Sequence, residues 1–150
     1  MLRGNSPRRP RERNGAHMKD WLSRKVRFVK ASLVKKDGRS QAQVELERPG
    51  SGAYVGSAEV SGDELDVLRA GAQAAAQAVQ QAADSEDARV EIRDLELVKA
   101  VGQTVVIVSV DASLKGETRS LFGVCQVQDD PATAAAMAVL SATNRVFDLA

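Results

Sequence analysis

Residues 36–47 read Lys-Asp-Gly-Arg-Ser-Gln-Ala-Gln-Val-Glu-Leu-Glu and join a tight turn to a strand of alternating polarity. An Asp-Gly pair between two apolar runs is a strong signal for a two-residue β-hairpin turn. After that pair, Ala42, Val44 and Leu46 alternate with polar side chains, and a period of two is typical of a strand that buries one face. This stretch therefore predicts an antiparallel hairpin with one buried face.

The segments on either side of the hairpin turn complete a first βββα unit over residues 26–83. The apolar run at 26–34 predicts the strand before the turn, and Pro49–Gly52 predicts a second turn ahead of a strand over 53–60. Ser61 or Asp63 then suits the N-cap of a helix, because both residue types accept hydrogen bonds from free main-chain N–H groups. The apolar positions of that helix recur at spacings of three and four: Leu65, Leu68, Ala72, Ala75, Val79 and Ala82.

The same order of elements recurs over residues 89–147. Strands are predicted at 89–99, 104–112 and 118–127, with turns between them at Gly102-Gln103 and Lys115–Glu117. The middle strand of this set is apolar on both faces, which favours a central place in its sheet. Asp130 suits the N-cap and Pro131 the first position of a helix over 131–147. One stripe of this helix carries Met137, Leu140, Asn144 and Phe147.

A constant shift of 67 in the numbering aligns the two units. It pairs Gly56 with Gly123, Asp63 with Asp130, Phe28 with Leu95, Val60 with Val127, and Ala75 with Ala142. A repeated supersecondary unit normally packs against its own copy, because neither copy buries its apolar face alone. We therefore predict an α+β fold over residues 23–150. It consists of two βββα units, 26–83 and 89–147, related by a pseudo-two-fold axis, with the sheets covered by two Ala-rich helices.

Alanine dominates both predicted helices, with eight alanines in residues 70–83 and six in residues 132–142. Alanine has the highest intrinsic helix propensity, but each alanine side chain buries little apolar area. We therefore expect a homodimer that buries more of these helix faces. The alternative is that the alanines only favour the helical state on a solvated surface.

The net charge of +1 hides an uneven distribution along the chain. There are 21 basic and 20 acidic residues, and residues 1–25 hold eight of the basic ones against two acidic ones. That stretch has no apolar periodicity, so we predict a disordered basic arm over residues 1–22. The arm is the only part expected to meet nucleic acid or anionic lipid. A plain solvated extension ahead of a start at Met18 is the simpler interpretation.

Neither a secretory signal nor a membrane span is apparent in the sequence. The arm lacks the apolar core of a signal peptide, and no run approaches the roughly 18 apolar residues of a membrane helix. We therefore expect a cytoplasmic protein without a membrane partner.

Few residues suit catalysis. His17 lies in the arm and is the single histidine, and Cys125 is the single cysteine. These numbers exclude a disulfide framework, an ordinary zinc site and a catalytic triad in the folded part. A lone cysteine in an alternating strand is most often a small buried apolar side chain. The acidic residues at the helix starts are accounted for by capping and by the helix dipole. We therefore expect no enzyme, no cofactor and no bound metal.

The last helix is the most specific stretch of the sequence. Residues 130–145 resemble the closing helix of the C-terminal regulatory domain of 2-isopropylmalate synthases and citramalate synthases. In that helix a cap Asp opens an Ala-rich stretch that ends in Ala-Leu-Asn-Arg. Residues 95–110 look like the strand pair of the same domain, and the resemblance covers residues 26–148. The matching helix positions here are Asp130, Ala134, Ala138, Ala142, Asn144 and Arg145.

The resemblance implies paired βββα units and a dimerising module that binds an end-product amino acid. In this chain we expect a stand-alone regulatory domain without the catalytic barrel. The first helix departs from the family, because Val60–Glu64 stands where a Gly-Asn-Gly-Pro type of loop is usual. A small carboxylate-bearing metabolite, such as an amino acid, is expected at a dimer and near the helix starts, at Ser61, Gly62, Asp63, Gln128, Asp129, Asp130 and Asn144. The alternative is a ligand-free dimeric scaffold whose basic arm meets an acidic partner.

Overall fold

Six strands and two helices follow one another in the order βββαβββα. The computed structural model describes residues 26–83, 87–128 and 130–148, and the side chains of 36, 64 and 145–148 lie outside that description. The predicted arm, His17 and Asp129 also lie outside it. The elements are β1 Arg27–Lys36, β2 Arg39–Arg48, β3 Gly52–Val60, α1 Glu64–Ala82, β4 Arg89–Ala100, β5 Gln103–Leu114, β6 Glu117–Gln126 and α2 Pro131–Asp148.

The strands form two antiparallel sheets of three, in the orders β1-β2-β3 and β4-β5-β6. This arrangement confirms the predicted α+β class of two βββα units. Strand β5 is the middle strand of its sheet, as its apolar sequence indicated. Each middle strand buries one face completely, through Ala42, Val44 and Leu46 in β2 and through Val106, Val108, Val110 and Ala112 in β5.

Three of the hairpins turn through two residues that both have positive φ. The first is Asp37-Gly38, with φ values of 55° and 77°, which is the type I′ geometry that matches the twist of the strands. The predicted turn at Gly102-Gln103 is wrong by one residue, because the turning pair is Val101-Gly102 and Gln103 already belongs to β5. Val101 is a β-branched residue at a φ of 53° and is 98% exposed.

Each helix crosses the third strand of its own unit at a glycine. A Cβ added at Gly56 would overlap the main chain of Ala74 and Ala78, and one added at Gly123 would overlap the carbonyl of Ala138. The helices also touch each other closely, because a Cβ at Gly71 would lie 3.0 Å from the Ala132 oxygen. Glycine and alanine therefore let two helices and two sheets approach to backbone contact.

The strand register corrects the internal alignment. Both first strands contain a bulge, after Phe28 in β1 and after Ile92 in β4, so these two residues are equivalent and the shift between the first strands is 64. The predicted pairing of Phe28 with Leu95 is therefore wrong. The shift of 67 holds for Gly56 and Gly123, because the paired arms of the β5–β6 hairpin extend further. The chain takes 15 residues from Val108 to its partner Gly123 but 12 from Val44 to its partner Gly56.

The helices return to the shift of 64, because Ala78 at the Gly56 crossing corresponds to Ala142 at the Gly123 crossing. The predicted pairing of Ala75 with Ala142 is therefore wrong. The α1 helix begins three residues earlier, relative to its glycine crossing, than α2 does. At about 1.5 Å of rise per residue, Asp63 lies about 4.5 Å further from the crossing than Asp130 does.

Most alanines of both helices are buried inside the monomer. The predicted stripe of α1 is confirmed from Leu68 onward, but Leu65 is 41% exposed, and on α2 Met137 is 40% exposed. The small side chains of both helices are buried within one chain, so these helix faces are not exposed for the dimer contact that we expected. The buried alanines are Ala70, Ala72, Ala74, Ala75, Ala76, Ala78, Ala82, Ala132, Ala134, Ala135, Ala136, Ala138 and Ala142.

A side-chain amide on each helix holds the first strand of the other unit. The Gln80 Oε1 atom accepts a 2.6 Å hydrogen bond from Val90 N at the start of β4. At the equivalent position of α2, Asn144 Oδ1 accepts from Val26 N at 3.4 Å and Asn144 Nδ2 donates to Val26 O at 3.3 Å. These bonds tie the two units together. Among the described residues, neither helix is long and apolar enough to cross a membrane.

Candidate functional site

A short link between β6 and α2 positions the candidate site. Val127 N donates a 2.9 Å hydrogen bond to Thr104 O, which fixes the link where it leaves the sheet. Pro131 occupies the first helical position, where its missing N–H costs nothing and its fixed φ favours the helix. The link is therefore held at both ends.

Asp130 caps α2 with both carboxylate oxygens. Its Oδ1 accepts a hydrogen bond from Ala132 N at 3.2 Å, and its Oδ2 accepts one from the Thr133 hydroxyl at 2.7 Å. Ala134 N donates to Asp130 O at 3.1 Å and closes the first helical turn. Each carboxylate oxygen retains capacity for a further donor, so the half-buried cap can also bind a cation.

An open cavity of about 430 Å³ lies between β1, the end of β6 and the first turns of α2. Apolar side chains and polar groups share its wall, which is the composition typical of a site for a small amphipathic molecule. The lining residues are Phe28, Cys125, Gln126, Gln128, Asp130, Thr133, Ala134 and Met137.

A second cavity of about 450 Å³ is lined by residues of both helices, of strands β4 and β5, and of the link between β6 and α2. Gln128 lines this cavity as well as the first, so the link between β6 and α2 separates the two. Lys99 supplies a cation here. The other lining residues are Leu68, Leu97, Thr104, Val127 and Pro131.

Cys125 contributes an apolar surface to the first cavity. Its thiol donates to the Gln126 carbonyl at 3.4 Å, and burial raises the pKa of the thiol above its usual value. A raised pKa keeps the group neutral at physiological pH, and the neutral thiol is a poor nucleophile. Cys125 therefore supports the interpretation of a small apolar side chain.

The start of α1 has a different environment. Ser61, Gly62 and Asp63 are exposed, and none of them lines either of the two cavities. The Asp63 side chain accepts a 3.3 Å hydrogen bond from Asp66 N and caps its helix. Because α1 begins about one turn earlier, Asp63 lies further from the crossing at Gly56 than Asp130 does from the crossing at Gly123.

Only some of the remaining candidate residues lie at the site. Gln128 and Asp130 share the first cavity. Asn144 lies several turns further along α2, where its amide binds Val26, and Asp129 lies outside the described residues. The structure therefore brings together only the candidates at the start of α2.

Sequence reasoning did not identify Phe28, Gln126, Thr133 and Met137 as cavity residues. The spacing of Asp130, Thr133, Ala134 and Met137 by three and four residues contains the signal, since such residues share one helix face. Helical spacing does not predict Phe28 as a cavity residue, because its position depends on how β1 packs against the second unit.

Comparisons with known proteins leave the family open. No protein-family model matches the chain, and no curated protein matches its sequence. Within residues 26–83, 87–128 and 130–148, no group of three or more His, Cys, Asp or Glu is placed to hold a metal ion.

Proposed function

We propose that this chain is a non-catalytic module that binds an amino acid with an apolar side chain in the cavity at the start of α2. The observation that carries the proposal is the composition of the cavity wall, where four polar residues, one of them an aspartate, line the cavity together with four apolar ones. Such a wall suits a small zwitterion with a hydrocarbon tail.

The polar groups match the polar end of an amino acid. The half-buried Asp130 carboxylate binds the ammonium group through a charge-assisted hydrogen bond. The amide of Gln128 donates to the ligand carboxylate, because it carries two N–H donors. Phe28 and Met137 pack against the apolar tail.

A regulatory role is favoured by the sequence. The resemblance of residues 130–145 to the closing helix of a synthase regulatory domain suggests a protein that senses a product instead of transforming it. The neutral Cys125 thiol and the use of the Asp130 carboxylate as a helix cap support a non-catalytic role.

A thermal-shift screen tests this proposal. At a concentration of 100 times the Kd, a ligand that binds only the native state adds about 2.7 kcal/mol to the free energy of unfolding. In a domain of this size that gain corresponds to a rise in Tm of roughly 5–10 °C. We expect this rise with one or more of leucine, isoleucine, valine and methionine.

The corresponding 2-oxo acids are the matched controls, because they keep the carboxylate and the apolar tail but lack the ammonium group. We expect them to shift the Tm much less than the amino acids do. If no amino acid shifts the Tm, the binding proposal fails.

A ligand-free dimeric scaffold is the second candidate function. It is favoured by exposed apolar side chains on the second sheet, Phe122 and Val124 above all. A screen without any Tm shift, combined with self-association in solution, would favour the scaffold.

A further inference from the structure

The two sheets differ on the faces that they turn away from the helices. On the first sheet this outer face carries mainly charged and amide side chains, such as Arg27, Lys30, Gln43, Glu45, Glu47 and Glu59, and ion pairs join Arg27 to Glu47 and Arg39 to Glu59. On the second sheet the corresponding face carries five apolar side chains, Val98, Val105, Ile107, Phe122 and Val124.

These five side chains form one patch, here called the outer apolar patch. The register places Val98 beside Val105 and Ile107 beside Val124. Phe122 is 66% exposed and Val124 is 53% exposed. The patch occupies the half of the sheet that ends at the Val101-Gly102 turn, with Glu96 at its rim on the outer strand β4.

The strands β3 and β6, each at the edge of its sheet, also differ in how helix side chains bond to them. Two glutamines of α1 bond to the main chain of β3: Gln77 accepts a 2.9 Å hydrogen bond from Ser57 N, and Gln81 donates to Val55 O at 3.3 Å. The residue of α2 that corresponds to Gln77 is Ser141, whose side chain is too short to reach β6 in the same manner. Helix side chains therefore cover the edge of the first sheet at Ser57 and Val55. Among the described side chains of α2, none makes the equivalent bond to β6.

We propose that a second copy of this chain covers the outer apolar patch, with the two second sheets packed face to face about a two-fold axis. An isologous contact needs a surface that is complementary to itself, and an apolar patch without strong charge meets that condition. Stacked sheets pack about 10 Å apart through interdigitated apolar side chains, and Phe122 and Val124 project far enough to do so.

Charge fixes the relative direction of the two copies. The other half of the same face carries Glu91, Asp111 and Arg93, and Arg93 lies 3.7 Å from Glu91 and 3.5 Å from Asp111. Removing these charges from water against a second copy is unfavourable. The copies therefore overlap through their apolar halves, with the charged halves pointing in opposite directions.

The size of the patch sets the strength of the contact. About six residues along each of three strands span roughly 20 Å by 14 Å, which is a flat area of roughly 280 Å². A standard stable interface buries about 800 Å² on each partner. The dimer is therefore weak and depends on concentration, and it forms without any ligand in the α2 cavity.

Sedimentation equilibrium of the full chain from 10 µM to 1 mM tests this dimer. We expect reversible association to a species of twice the monomer mass, and association that strengthens as NaCl is raised from 50 to 500 mM. The F122K variant should weaken the association at least tenfold, and its far-ultraviolet circular dichroism should be unchanged because Phe122 is exposed.

The matched control is V55K, since Val55 holds the equivalent position on the first sheet and is 49% exposed. This variant should associate like the unaltered chain. The proposal is overturned by a monomer at every concentration, by equal association of the F122K and unaltered chains, or by association that weakens with salt. The measurement is made without amino acids, so its failure leaves the α2 cavity proposal intact.

Discussion

The starts of the two helices show how one topology produces two different surfaces. Both caps are aspartates, and both helices cross the third strand at a glycine. The start of α1 lies about one helical turn further from that crossing than the start of α2 does from its own. This leaves Asp63 exposed, whereas Asp130 lies beside a cavity. A difference of three residues in where the helix begins relative to its glycine crossing therefore changes a simple cap into a candidate binding group.

The two units are most alike where they are buried. The glycine crossings, the bulges of the first strands and the amide bonds from each helix to the opposite unit all have counterparts in the other unit. Their outer surfaces differ, with a mainly charged outer face on the first sheet and a half-apolar one on the second. Packing restricts the interior of both units, whereas the exterior is free to differ.

The largest expected effect comes from breaking the shared glycine crossings. Either G56A or G123A should lower the free energy of unfolding by about 3 kcal/mol or more, because a methyl group would overlap helix main chain that cannot move independently. Urea unfolding measures the loss.

The control for the crossings is S57A, next to Gly56 but on the opposite face of β3. It should change the free energy of unfolding by less than about 0.5 kcal/mol. A loss in G56A or G123A as small as that of the control would show that the helices have room to shift, contrary to the close approach described above.

A smaller effect is expected from making the turn between β4 and β5 more like the turn between β1 and β2. Val101 corresponds to Asp37, and both residues have positive φ, which is unfavourable for a β-branched side chain. The V101N variant should stabilise the protein by roughly 0.5–1 kcal/mol, because asparagine suits the first position of a type I′ turn. The change is measured as a rise in Tm, and a fall would contradict the strain assigned to Val101.

The sequence allowed the strands, the helices and their order to be predicted, because period-two strands and Ala-rich helices with Asp caps are local patterns. It did not allow the change of shift between the units to be seen. The longer β5–β6 hairpin adds three residues and the earlier start of α1 offsets them. A shift of 67 therefore aligns the glycines and the caps, whereas a shift of 64 applies before and after them. The register of β1 against β2 and of β4 against β5 was needed to separate the two changes.

The candidate site was predicted in part for a related reason. Gln128 and Asp130 were identified from the sequence near the helix start, and they line the cavity. The apolar wall was missed because Phe28 reaches it from the other unit, and Met137 was placed on an apolar helical stripe although it is 40% exposed. Contacts between units depend on docking, which local patterns do not encode.

Calorimetric titration of leucine into the unaltered chain and into the D130N and D63N variants tests the difference between the helix starts most directly. Asparagine caps a helix about as well as aspartate does, so both variants should keep their fold while losing one negative charge. We predict that the D63N variant binds leucine like the unaltered chain. The D130N variant should bind at least tenfold more weakly, because a hydrogen bond to a charged group contributes about 1.5–3 kcal/mol. Equal binding by the D130N and unaltered chains would contradict the role assigned to the α2 cap.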